Sequence, residues 1–330
     1  MTMRALVWHG PRSMSLERID EPRPAPDEVL VRVEAVGICG SELSGYLGHN
    51  SLRRPPLVMG HEFAGEVVGG TGVASGTLVT VNPLVTCGTC AACREGRDNL
   101  CVARALIGAH RPGAFAEIVA APASACMPLP PGLDAVDGSL VEPLACAVRA
   151  VRLAAVDGAT RVHVIGAGTI GLFCAVAARR RGATDVTVHD SNPKRAAVAR
   201  AWGFETGPAP EHGATVVIDA VGLEITRRAA VDGLERGGTA VFVGLHEDGA
   251  AFSGNDLVRE ERTVRGCFAY AADDFRTAAG WLAGGVLPDR RSWLSERPLE
   301  AGPSGFEELV NGEPDVVKIV LRPRRMPEGA

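Results

Sequence analysis

Short apolar stretches separated by turn residues fill the chain up to about Leu140. Residues 29–36, 63–68, 77–81 and 115–120 are rich in valine and other residues that favour strands. Pro22, Pro24 and Pro26 precede the first stretch, and proline cannot lie in a central strand. This part of the chain is predicted to form a β-rich, barrel-like domain with long loops.

The pattern changes after Leu140, where strands and helices alternate. After a helix at residues 142–155, strands are expected at 161–165, 185–189, 215–219 and 239–244, with helices at 170–181, 193–202 and 224–235. Such alternation predicts a parallel sheet with helices on both faces. A final strand is expected at residues 315–322. We predict an α/β protein in which a doubly wound domain, residues 143–288, is inserted into a β-rich domain formed by residues 1–142 and 289–330.

The composition limits the class of protein and its partners. The chain has 330 residues, 46% hydrophobic and 22% charged, which suits two globular domains. Its formal net charge of −5 offers no basic surface for nucleic acid or an anionic membrane. The apolar segment 162–178 is shorter than the roughly 20 residues of a membrane span. No secretory signal is recognisable, so a cytoplasmic protein is expected.

A glycine motif, Gly166-Ala-Gly168-Thr169-Ile170-Gly171, follows the predicted strand 161–165 and opens a helix. In this setting the first glycine allows a tight turn and the second lets the backbone approach a pyrophosphate. The third lets the helix pack on the strand. Because a helix N-terminus presents free N–H groups to phosphates, the motif indicates a dinucleotide-binding site.

Asp190 ends the next predicted strand, 19 residues after Gly171. A carboxylate at this place accepts hydrogen bonds from the adenosine ribose and repels a 2′-phosphate, which favours NAD over NADP. Lys194 and Arg195 follow closely, and either is able to contact a phosphate of the cofactor. The alternative interpretation is that Asp190 only caps the helix that begins at Pro193.

Four of the nine cysteines, Cys87, Cys90, Cys93 and Cys101, fall within 15 residues. Four thiolates at this spacing surround one Zn²⁺ tetrahedrally and leave no open position, which is typical of a structural site. The odd number of cysteines favours reduced thiols over disulfides. The alternative, four free thiols on one loop, would make that loop sensitive to oxidation.

A second, dispersed set of candidate ligands comprises Cys39, His61, Glu62 and Glu142. Cys39 follows a predicted strand, His61-Glu62 begins another, and Glu142 lies at the predicted domain boundary. Each also has an ordinary structural interpretation: a buried thiol, a hydrogen-bonded turn histidine, or a carboxylate at a helix N-terminus. Spacing alone leaves a common zinc site undecided.

Together these motifs resemble the zinc-containing medium-chain dehydrogenase/reductase superfamily, particularly its polyol branch around sorbitol dehydrogenase. The resemblance runs almost end to end and rests on GICGSE, GHEFAGEVV, the CGTCAACREGRDNLC loop, VEPLACAV, VIGAGTIG and VVIDAVG. It implies a GroES-like catalytic domain, a Rossmann domain, NAD as the cofactor, and two Zn²⁺ per chain, one catalytic and one structural.

The resemblance also implies roles for single residues. Cys39 and His61 would bind the catalytic zinc, Glu62 and Glu142 are the candidates for its acidic ligand, and Ser41 would pass on the substrate proton. Zinc would act as a Lewis acid on a secondary alcohol whose hydride goes to NAD. A small hydroxylated substrate such as a polyol or cyclitol is expected, since only 5% of the residues are aromatic.

The chain departs from the family pattern at several positions. Ser44 stands where many relatives carry a relay histidine, with His49 as a candidate substitute, and Glu42 stands where the family has aspartate. The GDRV turn of the family is replaced by the residues 76–79, Gly-Thr-Leu-Val, and the segment 204–214 is short. These differences bear on the substrate more than on the core chemistry.

Two other functions fit parts of the pattern. A zinc-free enone or quinone reductase of the same superfamily needs no Cys39, His61 and Glu62 set. A non-catalytic NAD- and zinc-binding protein would be expected to lose catalytic ligands first. A homodimer or homotetramer is also expected, because residues 263–268 are predicted to form a strand at the sheet edge, where relatives pair subunits. The charged run 259–262 would instead suit a solvent-exposed edge.

Overall fold

The computed structural model describes residues 1–312 and 316–323 and divides the chain into two compact units. Unit 1 comprises Met1–Glu142, Ala279–Gly284 and Asp289–Ala330, and unit 2 comprises Pro143–Ala278 and Gly285–Pro288. Asp315, at the start of the last predicted strand, lies outside the described residues. Among the described helices, none combines the length and the apolar character that a membrane span requires.

Unit 1 consists mainly of strands, as predicted for the first part of the chain. Its strands are β1 Thr2–Gly10, β2 Ser13–Asp20, β3 Glu28–Gly37, β4 Leu57–Val58, β5 Glu62–Gly70, β6 Leu78–Val81, β7 Leu84–Val85, β8 Ala105–Leu106, β9 Ile118–Pro122, β10 Cys126–Pro128, β17 Leu294–Pro298 and β18 Lys318–Arg322. Its helices are α1 Gly40–Tyr46, α2 Ala91–Arg94, α3 Ala135–Ser139 and α10 Gly302–Val310.

Strand β3 is the centre of the largest sheet of unit 1. That sheet has the order β10-β6-β5-β3-β18-β17, and β9 pairs with β3 as well. Val29, Val31 and Val33 on β3 are fully buried, and their apolar side chains favour an interior position for this strand. Two smaller sheets, β2-β1-β4 and β7-β8, complete the unit. The loop that carries Cys39 therefore starts at the end of this central strand.

Unit 2 contains the predicted parallel sheet. Its strands are β11 Arg161–Ile165, β12 Asp185–His189, β13 Glu205–Thr206, β14 Ala214–Asp219, β15 Leu234–Phe242 and β16 Thr263–Gly266. The helices that lie wholly or mostly in it are α4 Val141–Leu153, α5 Thr169–Arg180, α6 Pro193–Ala201, α7 Glu224–Asp232, α8 Gly254–Arg259 and α9 Ala272–Ala283. All strands are parallel in the order β13-β12-β11-β14-β15-β16, and β16 lies at the edge as predicted. This is the strand order of a dinucleotide-binding sheet. From β11 the chain first adds β12 and β13 on one side and then β14, β15 and β16 on the other, so the order of addition reverses between β11 and β14.

Several predicted boundaries are wrong, and three of them have a clear local reason. The helix predicted to reach residue 235 ends at Asp232, because Leu234 is buried and pairs with Ala214 as part of β15. That strand ends at Phe242, since the next two N–H groups donate to the carbonyl of Asp219. The strand predicted from residue 115 begins only at Ile118, because the N–H of Phe115 donates to the carbonyl of Met59.

Candidate metal centres and dinucleotide loop

The four clustered cysteines come together in the loop between β7 and β8. Their Sγ atoms lie 3.5 Å apart for Cys90 and Cys93, 3.5 Å apart for Cys87 and Cys101, and 4.0 Å apart for Cys87 and Cys93. Zn–S bonds of about 2.3 Å in a tetrahedron place sulfur atoms roughly 3.8 Å apart. All four are free thiols, and their spacing fits one zinc ion.

Backbone N–H groups point at these sulfur atoms. The N–H of Cys90 donates to Cys87 Sγ, and the N–H of Cys87 donates to Cys101 Sγ, both at 3.4 Å. Hydrogen bonds from the backbone of Thr89 and Cys90 lower the pKa of Cys87 to about 6. Desolvation, together with the neighbouring thiol of Cys90, raises the pKa of Cys93 to about 12. One thiolate forms easily, but four would repel each other, so the donor set suits a divalent cation.

Cys39, His61 and Glu62 are brought together by the pairing of two strands. Gly37 at the end of β3 faces Glu62 at the start of β5. One ligand atom from each of Cys39, His61 and Glu62 lies within 4.8 Å of the other two. His61 and Glu62 are buried, and Cys39 is partly exposed. A thiol, an imidazole and a carboxylate form a three-residue donor set that leaves a fourth zinc position open for a substrate.

Glu42 contacts the Nδ1 atom of the His61 imidazole. Its Oε1 atom lies 2.8 Å from His61 Nδ1 and accepts a 2.8 Å hydrogen bond from the N–H of Gly60. Its Oε2 atom accepts a 3.1 Å hydrogen bond from the N–H of Cys39. Burial opposes the charge of Glu42, but His61, Arg53 and the Cys39 N–H outweigh burial and lower the pKa of Glu42. The ionised carboxylate can only accept, so His61 donates from Nδ1 and keeps Nε2 for a metal.

The electrostatics of His61 also fit a cation site. Burial by itself would lower the pKa of His61, but the negative charges of Glu42 and Cys39 raise it well above the ordinary value. Without a metal, these anions hold a proton on the imidazole. A metal ion that binds His61 takes the place of that proton, because the ligand is the neutral imidazole.

Glu62 forms an ion pair with Lys318, a residue that the sequence analysis missed. Lys318, on β18, donates to Glu62 Oε2 and at 3.0 Å to the carbonyl of Ile38. Burial opposes the ammonium, but Glu62 and Cys39 outweigh burial and raise the pKa of Lys318. A Cβ atom at Gly37 would clash with Glu62 Oε2 and Lys318 Cε, so a larger residue there would displace the paired side chains. A signal was present: Lys318 is one of only two lysines among 34 lysines and arginines, and it interrupts an apolar run.

Ser41 lies beside the cluster, in the first turn of α1. Its hydroxyl donates to Cys39 Sγ at 3.5 Å, and the guanidinium of Arg53 contacts both its carbonyl and its hydroxyl. His49 is exposed, and its backbone N–H donates to the carbonyl of Ser44 at 2.9 Å. Arg53 was not predicted, because an arginine in a polar loop gives no sign in the sequence that it is buried.

Glu142 is buried in the first turn of α4. It is not among the three residues whose ligand atoms lie within 4.8 Å of one another. Glu62 is therefore the acidic residue that the structure brings next to Cys39 and His61.

The glycine motif connects β11 to α5. A Cβ atom at Gly171 would lie 1.7 Å from the carbonyl oxygen of Gly166, so the helix packs against the turn only with glycine at this position. Gly168 is the N-cap of α5 and, as a glycine, has no side chain to cap the first turn, which begins with Thr169 and Ile170. The N–H groups of that turn are able to bind a phosphate.

Asp190 follows β12 and is tied to the glycine loop. Its Oδ2 atom accepts a 2.7 Å hydrogen bond from the N–H of Ala167, and its Oδ1 atom accepts a 2.8 Å bond from the N–H of Asn192. The cap of α6 is Asn192, whose side chain accepts from the N–H of Lys194 at 2.9 Å. The interpretation of Asp190 as only a helix cap is therefore wrong. Arg195 lies in the first turn of α6 and is partly exposed.

Two family models match the chain. The alcohol dehydrogenase GroES-like domain matches residues 25–131, and the zinc-binding dehydrogenase family matches residues 169–284. The first match lies in unit 1 and contains both candidate metal centres apart from Lys318 and Glu142. The second lies mostly in unit 2 and begins within the glycine motif. The GroES-like and Rossmann folds implied by the sequence are thus confirmed.

Curated and solved relatives match over almost the whole chain. L-galactonate-5-dehydrogenase of Escherichia coli (strain K12) is 31% identical over 97% of this chain and 99% of its own. (R,R)-butanediol dehydrogenase of Bacillus subtilis (strain 168) is 32% identical over 97% and 100%. The crystal structure of a zinc-binding dehydrogenase from Sinorhizobium meliloti 1021 bound to NADP has 30% identity and a TM-score of 0.89, and the match covers 98% of this chain and 100% of that chain.

The protein is an oxidoreductase that acts on CH–OH groups, and it is not a zinc-free reductase or a non-catalytic binding protein. Relatives at this identity are alcohol and polyol dehydrogenases, and this chain has a complete set of candidate zinc ligands. The chain belongs to the zinc-dependent medium-chain dehydrogenase/reductase superfamily and, within it, to the polyol dehydrogenase branch.

Proposed function

We propose that this protein oxidises a secondary hydroxyl group of a small, hydroxyl-rich substrate with NAD and catalyses the reverse reduction. The observation that carries the proposal is the convergence of Cys39, His61 and Glu62 within 4.8 Å. Glu42 and Lys318, both buried, hold two of these three residues by hydrogen bonds. Such support is characteristic of a working metal site, because supporting partners orient the ligands.

The proposed catalytic zinc is bound by Cys39, His61 and Glu62, with Glu142 as the candidate for an exchanging ligand. When bound, zinc supplies a Lewis acid that makes the substrate hydroxyl more acidic. The chain itself orients His61 through Glu42, balances the charge of Glu62 with Lys318, and accepts the substrate proton at Ser41 Oγ. The second zinc, held by Cys87, Cys90, Cys93 and Cys101, is structural because four thiolates leave no open position.

NAD is the proposed hydride acceptor. The glycine loop and Asp190 support a dinucleotide in unit 2, and the negative charge of Asp190 disfavours a 2′-phosphate. NADP is the second candidate, because the Sinorhizobium meliloti relative binds it and Lys194 and Arg195 lie close to Asp190 in the chain.

We also propose that residues 1–142 and 289–330 form the catalytic domain and residues 143–288 form the NAD-binding domain.

Vicinal hydroxyl groups define the proposed substrate class. L-galactonate and butanediol, which give two relatives their names, share this feature.

A cytoplasmic homodimer or homotetramer is proposed, supported by the edge position of β16 and by Phe268 just beyond it, which is 37% exposed.

The test is the absorbance of reduced nicotinamide with zinc-loaded protein and a panel of polyols, cyclitols, aminocyclitols, aldonates, vicinal diols, threonine and simple secondary alcohols. We expect turnover with NAD on at least one hydroxyl-rich member, and loss of that turnover with a zinc chelator. Turnover that survives complete removal of zinc would overturn the proposal.

A further inference from the structure

A buried arginine, Arg53, lies next to the candidate catalytic site, and none of the carboxylates that the structure describes forms an ion pair with it. Arg53 is only 4% exposed. Its guanidinium forms no ion pair within the described part of the chain, and its Nε atom has no hydrogen-bond partner there. A buried charge without a bound counter-ion is costly, so an arginine kept in this position needs an interaction that compensates for its burial.

The partner of Arg53 is Ser41. Arg53 donates from Nη1 to the carbonyl oxygen of Ser41 at 3.1 Å and from Nη2 to its hydroxyl oxygen at 3.4 Å. The nearby carboxylate of Glu42 is held by His61 and the N–H groups of Gly60 and Cys39. The guanidinium therefore donates hydrogen bonds to both oxygens of one serine. Its positive charge also lowers the pKa of Glu42 from a greater distance.

Helix α1 makes room for this arrangement. Gly45 is buried in that helix, and a Cβ atom at this residue would lie 2.6 Å from Cδ of Arg53. Any larger residue would push the arginine away from Ser41. Gly45 and Arg53 are thus spatially coupled, although neither is a candidate zinc ligand.

The contact determines how Ser41 can use its hydroxyl. A serine oxygen has two lone pairs and one hydrogen. Arg53 occupies one lone pair, and the hydrogen points to Cys39 Sγ at 3.5 Å. One lone pair remains, and it can accept a hydrogen bond from a substrate hydroxyl.

We propose that Arg53 is a positioning residue that fixes the hydroxyl of Ser41 as the acceptor of the substrate proton. The inference rests on the proposed function. The substrate O–H bond breaks and its proton bonds to Ser41 Oγ, while the O–H of Ser41, which is partly exposed, turns away from Cys39 Sγ and its proton passes to solvent water. When bound, the nicotinamide cofactor would supply the two-electron oxidant that takes up the hydride of the carbinol carbon.

The kinetic test compares Arg53→Met with Arg54→Met, the same change at the exposed neighbouring residue. With the best alcohol of the panel, we expect Arg53→Met to lower kcat by about 10- to 100-fold, a part of what proton transfer contributes, with little change in KM. The solvent deuterium isotope effect on kcat should increase, and Arg54→Met should resemble wild type. Gly45→Ala, which keeps the charge but displaces the arginine, should lower kcat in the same direction. Wild-type kcat in Arg53→Met would overturn the proposal.

Two further variants separate positioning from general support of the fold. In a Ser41→Ala background, Arg53→Met should cause no additional loss of kcat, since the two residues act through one group. Additive losses would contradict the proposal.

In Arg53→Ala, guanidinium chloride at millimolar concentration should restore part of kcat, and equal concentrations of sodium chloride should not. Equal effects of the two salts would also contradict the proposal.

A crystal structure of Arg53→Met tests the inference independently of turnover. We expect the Ser41 hydroxyl to leave its position near Cys39 Sγ, while Glu42 and His61 stay in place. An unchanged Ser41 would overturn the role of Arg53 even if kcat of the variant is lowered. If no alcohol of the panel is oxidised by wild type, the proposed function fails, and the position of Ser41 in this structure still decides whether Arg53 holds it.

Discussion

His61 Nδ1 lies 2.8 Å from Glu42 Oε1, and this contact determines which nitrogen of His61 is left for a metal. Since an ionised Glu42 only accepts hydrogen bonds, the Nδ1 atom must carry a hydrogen, and the Nε2 atom is the one that can bind zinc. The glutamate thus acts on the metal centre without being one of the clustered ligands.

Replacing Glu42 by glutamine should weaken binding of the catalytic zinc by about 10- to 100-fold. Glutamine keeps the size of the side chain but removes the charge that fixes the protonated nitrogen of His61. The measurement is zinc retained against a competing chelator. Glu66→Gln, a change to a partly exposed carboxylate on β5, is the matched control and should retain zinc as wild type does. Equal retention in the two variants would show that Glu42 does not support the site.

Removing Lys318 should destabilise the metal-free protein. In Lys318→Met, Glu62 stays buried without its counter-ion, which typically costs about 3–5 kcal/mol. Thermal unfolding of chelator-treated protein measures the effect. The double variant Lys318→Met/Glu62→Gln should recover most of the loss, because no unpaired charge is then left. A double variant as unstable as the single one would mean that lost packing, and not charge, is the cause.

The four-cysteine loop should depend on its metal for stability. Cys93→Ser is expected to lose one zinc per chain and to lower Tm by roughly 5–10 °C, because a closed zinc site stabilises the loop that it holds. Cys126→Ser, at an isolated thiol of the same unit, is the control and should change neither quantity much. Full zinc content in Cys93→Ser would rule out the structural site.

The charge of Asp190 should set the cofactor preference. Asp190→Asn can still accept a hydrogen bond from the N–H of Ala167, so the loop is expected to stay in place. The ratio of the Kd values for NADP and NAD should fall by about tenfold, equivalent to about 1.4 kcal/mol. Asp185→Asn, at the exposed start of the same strand, should leave the ratio unchanged. An unchanged ratio in Asp190→Asn would assign Asp190 to loop structure alone.

The features that local pattern determines were predictable from the sequence. The strand at Arg161–Ile165 and the strand at Asp185–His189 were predicted residue by residue, because apolar periodicity and flanking turns define buried parallel strands. The four-cysteine loop was equally clear, since its donors are close in sequence. The proximity of Cys39, His61 and Glu62 was predicted only through the family resemblance and not from spacing, because it depends on the pairing of Gly37 with Glu62 across two strands.

The residues that surround the ligands were the least predictable. Lys318 is 256 residues from Glu62 in the chain and reaches it only because β18 pairs with β3. Glu42 was noticed as a departure from the family aspartate, but its contact with His61 is a property of the folded loop. No sequence pattern indicates that Arg53 is buried, since its burial depends on Gly45 in the preceding helix.

The most direct test of this account is a crystal structure of the zinc-loaded protein with anomalous scattering measured at the zinc edge. We expect two zinc peaks per chain, one among Cys87, Cys90, Cys93 and Cys101, and one bound by Cys39 and His61 with Glu62 or its candidate substitute Glu142. In Cys39→Ser, the second peak and the alcohol-dependent reduction of NAD should disappear together. A single peak, confined to the four cysteines, in protein that still oxidises alcohols would contradict the catalytic site assigned to Cys39, His61 and Glu62.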